Sequence, residues 1–380
     1  MAEADPATIV IDNGSGMIKA GFAGSAEPSV VFSALVGIPK YTSVLFDKRP
    51  HKGCYFAEEA QLHRGVLSLH YPMENAVVTN WDHMTKIWDY TFSKRLKADP
   101  SQHPVLLTDA PLAPKGNREK MAEVMFETFQ VPSMYVATQA ILSLYAANSI
   151  SGLVVDSGDG VTHIVPVYEG YAIQHAIQRL QLAGRNLTTY LGRLLAERGY
   201  SFVASAEREI VSDIKEKLCR VSPTVYRDQG LEAMPLTPAT YELPDGRMIS
   251  LGSERLRCPE ALFQPHLLGM ECPGITEATF NSVMQSEIDL RKTFFNQVLL
   301  TGGSTLFPGI EERFKNDLEQ FISIGTTIRN ADVQVRAPGD RKHTVWVGGS
   351  ILATLNAFQK MWVTKQMYEE HGKAIMHKCL

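Results

Sequence analysis

The sequence predicts an α/β protein built from two duplicated lobes of mixed sheets with covering helices. Three observations predict it. An apolar strand that ends in an aspartate and a glycine turn occurs twice, once around Asp12 and once around Asp156, 144 residues apart. Strand-like and helix-like stretches alternate from Val105 to Ala147, the pattern of a sheet covered by helices. The chain's 380 residues exceed what one core usually holds.

Ile9-Val10-Ile11 is a β-branched run that ends at Asp12 and turns through Asn13, Gly14, Ser15, Gly16 and Met17 into a second strand at Lys19. From Phe32 to Tyr55 the pattern weakens. Gly37, Pro39, Pro50 and Gly53 punctuate it, and it reads as a mobile excursion at the tip of a small subdomain. Val66 to Tyr71 alternates like a strand. Thr79 or Asn80 caps a helix running to about Ala98, whose stripe of Trp81, Met84, Trp88 and Phe92 has the spacing of a core face. Val105 to Leu107 is a strand, Asn117 to Phe129 a helix, Val131 to Val136 a strand and Thr138 to Ala147 an apolar helix. Leu153 to Tyr168 forms the second hairpin, turning through Gly158, Asp159, Gly160 and Val161. Helices follow at Gly184–Arg198 and Ala206–Val221, then a hairpin from Tyr241 to Leu251 around Pro244-Asp245-Gly246. Val298 to Thr301 is a strand leading into Gly302-Gly303-Ser304, with a helix after Pro308 and the last long helix at Val345–Phe358.

The turns carry the chemistry. Gly14, Gly16, Gly158 and Gly160 permit positive φ and close backbone approach, and successive amides in such turns cradle phosphate oxygens. Ser15 adds a hydroxyl and Lys19 a compact cation. Asp12 and Asp156, at strand ends facing one gap, suit a divalent cation that keeps its waters. Gln139 is a polar amide among Ala137, Ala140, Ile141 and Leu142. It reads either as a satisfied buried amide or as a side chain orienting a water beneath phosphates. The third glycine turn, at Gly302-Gly303, would let adenine or ribose approach the backbone. No GxxxxGK[ST] loop is present, and Gly16 is not followed by a glycine three residues on, so the dinucleotide fingerprint fails.

Composition narrows the classes. Hydrophobic content of 44% and charge content of 21% are those of a globular protein. A net charge of −4 with no basic run excludes non-specific nucleic-acid binding. No apolar run has membrane-span length, and the first residues do not resemble a signal peptide. Five cysteines without CxxC spacing fit a reduced compartment and no zinc site, and Cys379 reads as a surface cysteine.

Six stretches resemble actin: Asp12–Gly16, Asp156–His163, Glu207–Val211, Tyr241–Gly246, Arg257–Phe263 and Val345–Ala353. The resemblance runs from about Ile9 to the Lys378-Cys379 end. It implies the actin fold, with ATP or ADP and Mg2+ (or Ca2+) in a central cleft and slow ATP hydrolysis by positioning and charge stabilisation. It implies four subdomains: residues 1–34, 72–148 and 343–380; 35–71, with a mobile loop at 40–52; 149–182 and 274–342; and 183–273. By the same resemblance Asn13, Gly14, Ser15, Gly16, Met17, Lys19, Gly158, Asp159, Gly160 and Val161 hold the phosphates. Asp12, Gln139 and Asp156 hold the cation's waters. Gly184, Lys215, Glu216, Gly303, Ser304, Leu306, Phe307 and Lys342 line the nucleoside pocket, and Gln139 with His163 positions the attacking water. A small-molecule kinase of the same duplicated fold would need a carboxylate base beside an acceptor pocket, and none stands outside the Asp12 and Asp156 pair.

The departures from conventional actin bear on partners. The acidic N-terminal run is reduced to Glu3 and Asp5, and the tip at Lys40–Lys52 keeps almost none of the usual residues. Asn75 stands where family members often carry histidine, Ser212 where they carry arginine and Asn186 where they carry aspartate. Ser222–Thr240 bears little resemblance. The resemblance thus implies actin or actin-like protomers as partners through weak or altered polymerisation. It also implies actin-binding proteins at a groove lined by Tyr145, Tyr171, Ile351, Leu355 and Met361. The alternative it leaves is a non-filament subunit of a larger complex. The chain resembles a divergent actin-like branch of green-algal flagella, which sits with axonemal inner-arm dynein subunits. The implied location is cytoplasm and cytoskeleton, with the cilium or flagellum axoneme in the second case.

Overall fold

The computed structural model describes residues 6–40, 53–202, 205–225, 237–325 and 332–377. Two compact units divide the chain, residues 1–150 with 343–380 and residues 151–342. The N-terminal acids Glu3 and Asp5, most of the tip at 40–52, much of Ser222–Thr240, and Cys379 lie outside the described residues.

In the first unit, a six-stranded sheet has Ile9–Asn13 near its centre. Ile9–Asn13 pairs antiparallel with Met17–Phe22, setting Asp12 opposite Lys19, and parallel with Val105–Asp109. Ser133–Thr138 lies parallel on the far side of Val105–Asp109. Strands buried on both faces read as unbroken apolar runs, which is why Ile9-Val10-Ile11 and Val105-Leu106-Leu107 show no exposed side. Helix Gln139–Ala146 crosses Thr344–Thr354 closely. A Cβ at Gly348 would sit 1.8 Å from the Leu142 carbonyl oxygen, so only glycine permits that crossing. The Trp346 indole donates to the Val10 carbonyl at 3.0 Å, tying this helix pair to the first strand.

Asn80 is the N-cap of the next helix, its Oδ1 accepting from the His83 amide, and Met84, Trp88 and Phe92 are core. The α-helix ends at Tyr90 rather than near Ala98 and continues as a π-helical segment, Thr91–Leu96. The helix expected at Asn117–Phe129 starts at Lys115 and likewise loosens at Val124–Thr128. The two widened segments meet through Phe92 and Phe129, edge to face at 5.1 Å. The last long helix stops at Thr354, because Leu355 turns to extended backbone. The chain then runs on through a further helix, Lys365–His371, and a 3-10 segment, Gly372–His377. That end is fastened to residues 119–130 at successive turns. His377 Nε2 meets Glu119 Oε1 at 2.6 Å, Lys373 reaches Glu123 at 3.2 Å, Tyr368 donates to Glu127 at 2.7 Å and Lys365 to Gln130 at 2.5 Å. The weakly patterned stretch after Phe32 holds the strand Val36–Pro39, in a three-stranded sheet with Tyr55–Phe56 and Leu67–His70, followed by helix Ala57–Leu62.

The second unit repeats the centre of the first. Gly152–Ser157 pairs antiparallel with Thr162–Tyr168, setting Asp156 opposite His163, and parallel with Val298–Thr301. Helices Ile275–Gln285 and Ile310–Gly325 pack on this sheet, while Gly184–Glu197 and Ser205–Leu218 pack on each other. Beside the unit's apolar core lies a buried charge cluster. Arg313 is 1% exposed and bonds Glu260 at 2.8 and 2.9 Å, Asp317 at 2.9 Å and the Thr224 carbonyl at 2.9 Å. Its guanidinium also lies over the Phe263 ring at 4.5 Å.

Candidate functional site: two aspartate–glycine turns

The two turns are built alike. In the first, the Gly14 amide donates to the Met17 carbonyl at 3.1 Å; in the second, Gly158 donates to Val161 at 3.1 Å. None of Gly14, Gly16, Gly158 and Gly160 is among the residues at positive φ; Gly14 uses the close approach instead, since a Cβ there would lie 2.6 Å from the Met17 carbonyl oxygen. The left-handed glycine of the site is Gly302, at φ +88. A Cβ there would lie 2.3 Å from the Ser157 carbonyl oxygen and 2.5 Å from Asp156 Oδ1, so this glycine lets the third turn pass the second.

In the first unit the candidate side chains converge on Asp12, which is 2% exposed. Lys19 Nζ donates to Asp12 Oδ2 at 2.7 Å. Thr108 Oγ1 donates to Asp12 Oδ1 at 2.7 Å, and Gln139 Nε2 donates to the same oxygen at 3.2 Å. Asn13 faces inward, its Oδ1 accepting from the fully buried Trp88 indole at 3.0 Å, while its Nδ2 is buried without a hydrogen-bond partner. Ser15 Oγ accepts from the Ala76 amide at 3.0 Å. Asn75 and Ala76 both lie at positive φ, and asparagine tolerates that conformation better than most residues. That gives a structural reason for Asn75 in this chain.

In the second unit the candidates gather around the Gly158 carbonyl. It accepts from Ser304 Oγ at 2.6 Å and from the Gly184 amide at 3.0 Å. Arg185 donates to Asp159 Oδ2 at 2.9 Å, and its own amide to the Asp159 carbonyl at 2.8 Å. Lys215 is buried and donates to the Gly184 carbonyl at 3.0 Å and to Thr188 Oγ1 at 2.8 Å, so it fastens two helices. Glu216, one residue on, is exposed and accepts from Ser212 at 3.4 Å. Asn186 Oδ1 accepts from the Ala183 amide at 3.2 Å, capping the helix without a charge. Phe307 is buried, Leu306 and Gly303 are exposed, and Lys342 is half-buried beside Arg341, whose carbonyl accepts from the Gly302 amide. His163 shares a sheet face with Asp156, because residues directly opposite in a ladder do. Burial, with the positive charge of Arg179 as a second cause, lowers its pKa from 6.5 to about 4. The imidazole is therefore neutral at pH 7.

Thr108 and Arg185 were not among the candidates from sequence. One signal points to Thr108: the strand Val105-Leu106-Leu107-Thr108 recurs letter for letter as Val298-Leu299-Leu300-Thr301. In both units this strand lies parallel to the one that carries the aspartate.

A family model described as Actin matches residues 4–380. The chain belongs to the actin family. Actin-family proteins generally bind ATP or ADP with a divalent cation, have ATPase activity and are cytoskeletal. The donor set around Asp12 fits such a cation. A carboxylate offers about four lone-pair directions, and three are filled by Thr108, Gln139 and Lys19. What remains suits a metal-bound water better than direct ligation, as magnesium prefers. Among the described residues, no helix is long and apolar enough to cross a membrane.

Proposed function

We propose that this actin-family chain binds ATP or ADP with Mg2+ (or Ca2+) and hydrolyses ATP slowly. The observation that supports it is the twofold construction of the aspartate–glycine turn, with Asp12 opposite Lys19 in one unit and Asp156 opposite His163 in the other. Each turn contributes a share of the binding groups. The phosphates fall to residues 13–17 and Lys19, with residues 158–161. The cation's waters fall to Asp12, Gln139 and Asp156. The nucleoside falls to Gly184, Lys215, Glu216, Gly303, Ser304, Leu306, Phe307 and Lys342. The cation would screen the triphosphate's charge. Gln139 and a neutral His163 would orient the attacking water as hydrogen-bond partners; a histidine with a pKa near 4 is a weak base, in keeping with slow turnover.

The four-subdomain division given above belongs to this reading, as does assembly with actin-like protomers that is weaker than in conventional actin. Equilibrium binding of a fluorescent ATP analogue, with and without magnesium, tests the nucleotide site. Magnesium-dependent binding lost in both Asp12→Asn and Asp156→Asn is expected, and a wild-type chain that binds no nucleotide overturns the proposal. Sedimentation in Mg-ATP and salt tests assembly. Long filaments at ordinary actin concentrations refute the weakened-polymer reading. A fixed set of other proteins co-purifying with native chain, inner-arm dynein subunits among them, would instead support the complex-subunit role.

A further inference from the structure

We infer that Thr108 is a positioning residue, whose hydroxyl holds Asp12 Oδ1 where it accepts from the Gln139 NH2 group, so that the amide stays seated inward and Gln139 Oε1 is left for the attacking water. This rests on the nucleotide reading above and deepens it.

A threonine hydroxyl has one proton and two acceptor sites. The Asn13 amide, which can only donate, fills one acceptor site at 3.1 Å. Gln139 Nε2 approaches the other at 3.4 Å. The proton goes to Asp12 Oδ1 at 2.7 Å. The hydroxyl's three sites are thus all assigned, and Thr108 is 1% exposed, so water does not compete. Around Gln139 Nε2 stand only acceptors: Asp12 Oδ1 at 3.2 Å, Thr108 Oγ1 at 3.4 Å and the Asn13 carbonyl at 3.5 Å. A flipped amide would set its oxygen against a carboxylate and a carbonyl. The NH2 group therefore faces inward and Oε1 is the end left for a water. The Ser143 hydroxyl donates to the Gln139 carbonyl at 3.1 Å, one turn along the same helix.

The duplicated strand shows that this use of the threonine is specific to the first unit. Thr301, at the matching place, donates to the Arg341 carbonyl at 3.2 Å. The same tetrapeptide thus serves a carboxylate and an amide in one unit and main chain in the other.

The test compares wild type, Thr108→Val and Thr108→Ser as full-length chains. Three quantities are read: ATP affinity, single-turnover hydrolysis, and release of bound calcium to a fluorescent chelator. Partners one shell out from a metal or reacting group typically matter about 10- to 100-fold. Thr108→Val is expected to slow hydrolysis by about 10-fold or more and to speed calcium release, with ATP affinity changed by less than about 3-fold. Thr108→Ser, which keeps the hydroxyl, is expected to recover most of both rates. Hydrolysis at the wild-type rate in Thr108→Val, or a Thr108→Ser variant as slow as Thr108→Val, overturns the inference. Should Thr108→Val not fold, Thr108→Ala against Thr108→Ser gives the same contrast. If the wild-type chain binds ATP and Thr108→Val changes neither rate, the role of Thr108 alone falls; a wild-type chain that binds no ATP removes the reading beneath it.

Discussion

His163 makes the second unit sensitive to acid over a defined interval. In the native protein its pKa is about 4; in the unfolded chain it returns to 6.5. Between those values the unfolded state holds a proton that the native state does not, so stability rises with pH across the interval and falls as pH is lowered through it. Each pKa unit is about 1.4 kcal/mol. The full shift amounts to about 3 kcal/mol, reached below pH 4, and about 2 kcal/mol of it is lost by pH 5. In a unit of this size, 2 kcal/mol corresponds to about 4–8 °C of melting temperature. His163→Gln replaces the imidazole by an amide that does not titrate. The gap in melting temperature between variant and wild type, followed from pH 7.5 to pH 5, is the assay. It should move in the variant's favour by that amount, whatever the variant's absolute stability at pH 7.5. A gap that stays constant over this range, or a His163 imidazole resonance that titrates near pH 6.5 in the folded protein, would refute the reasoning. The same neutrality predicts that hydrolysis shows no His163 inflection between pH 8 and pH 5.

Three other outcomes are expected. Gly302→Ala must adopt a left-handed φ that costs an alanine about 1 kcal/mol or more, and its methyl collides with the Ser157 carbonyl and Asp156 Oδ1; ATP affinity and melting temperature should both fall. Arg313→Ala leaves the fully buried Glu260 unpaired and should cost about 3–5 kcal/mol, while Arg313→Met with Glu260→Met should cost much less, as urea titration would show. Tyr368→Phe removes one part-exposed hydrogen bond to Glu127 and should cost about 1 kcal/mol or less, with nucleotide affinity unchanged.

Much of the site could be read from local pattern. The aspartates, their turns and the spacing between them are contiguous signals, and the helix from Asn80 announces itself by its cap and its apolar stripe. What stayed hidden depends on contacts distant in sequence. Thr108 meets Asp12 across neighbouring parallel strands, and parallel pairing leaves no mark in the residues between. Glycine permits both positive φ and close approach, and sequence does not say which is used: Gly14 uses close approach, and Gly302 uses positive φ where two backbones cross. The widening of two helices at Thr91 and Val124 leaves no mark in the helical periodicity of either stretch. Lys215 reads as a pocket lysine by resemblance, yet its partners in the structure are a carbonyl and a hydroxyl of the neighbouring helix.

The run of contacts from Lys365 to His377 has a mechanical consequence. Four side-chain links lie in series along one edge. A pull on the chain's tail loads them one after another, beginning at His377, instead of sharing the load among them. Between the first two links Ile375 and Met376 are buried in the core of the first unit, so peeling past His377 must also expose two apolar side chains. A tug on that end would meet a succession of steps, the apolar pair setting the largest of them.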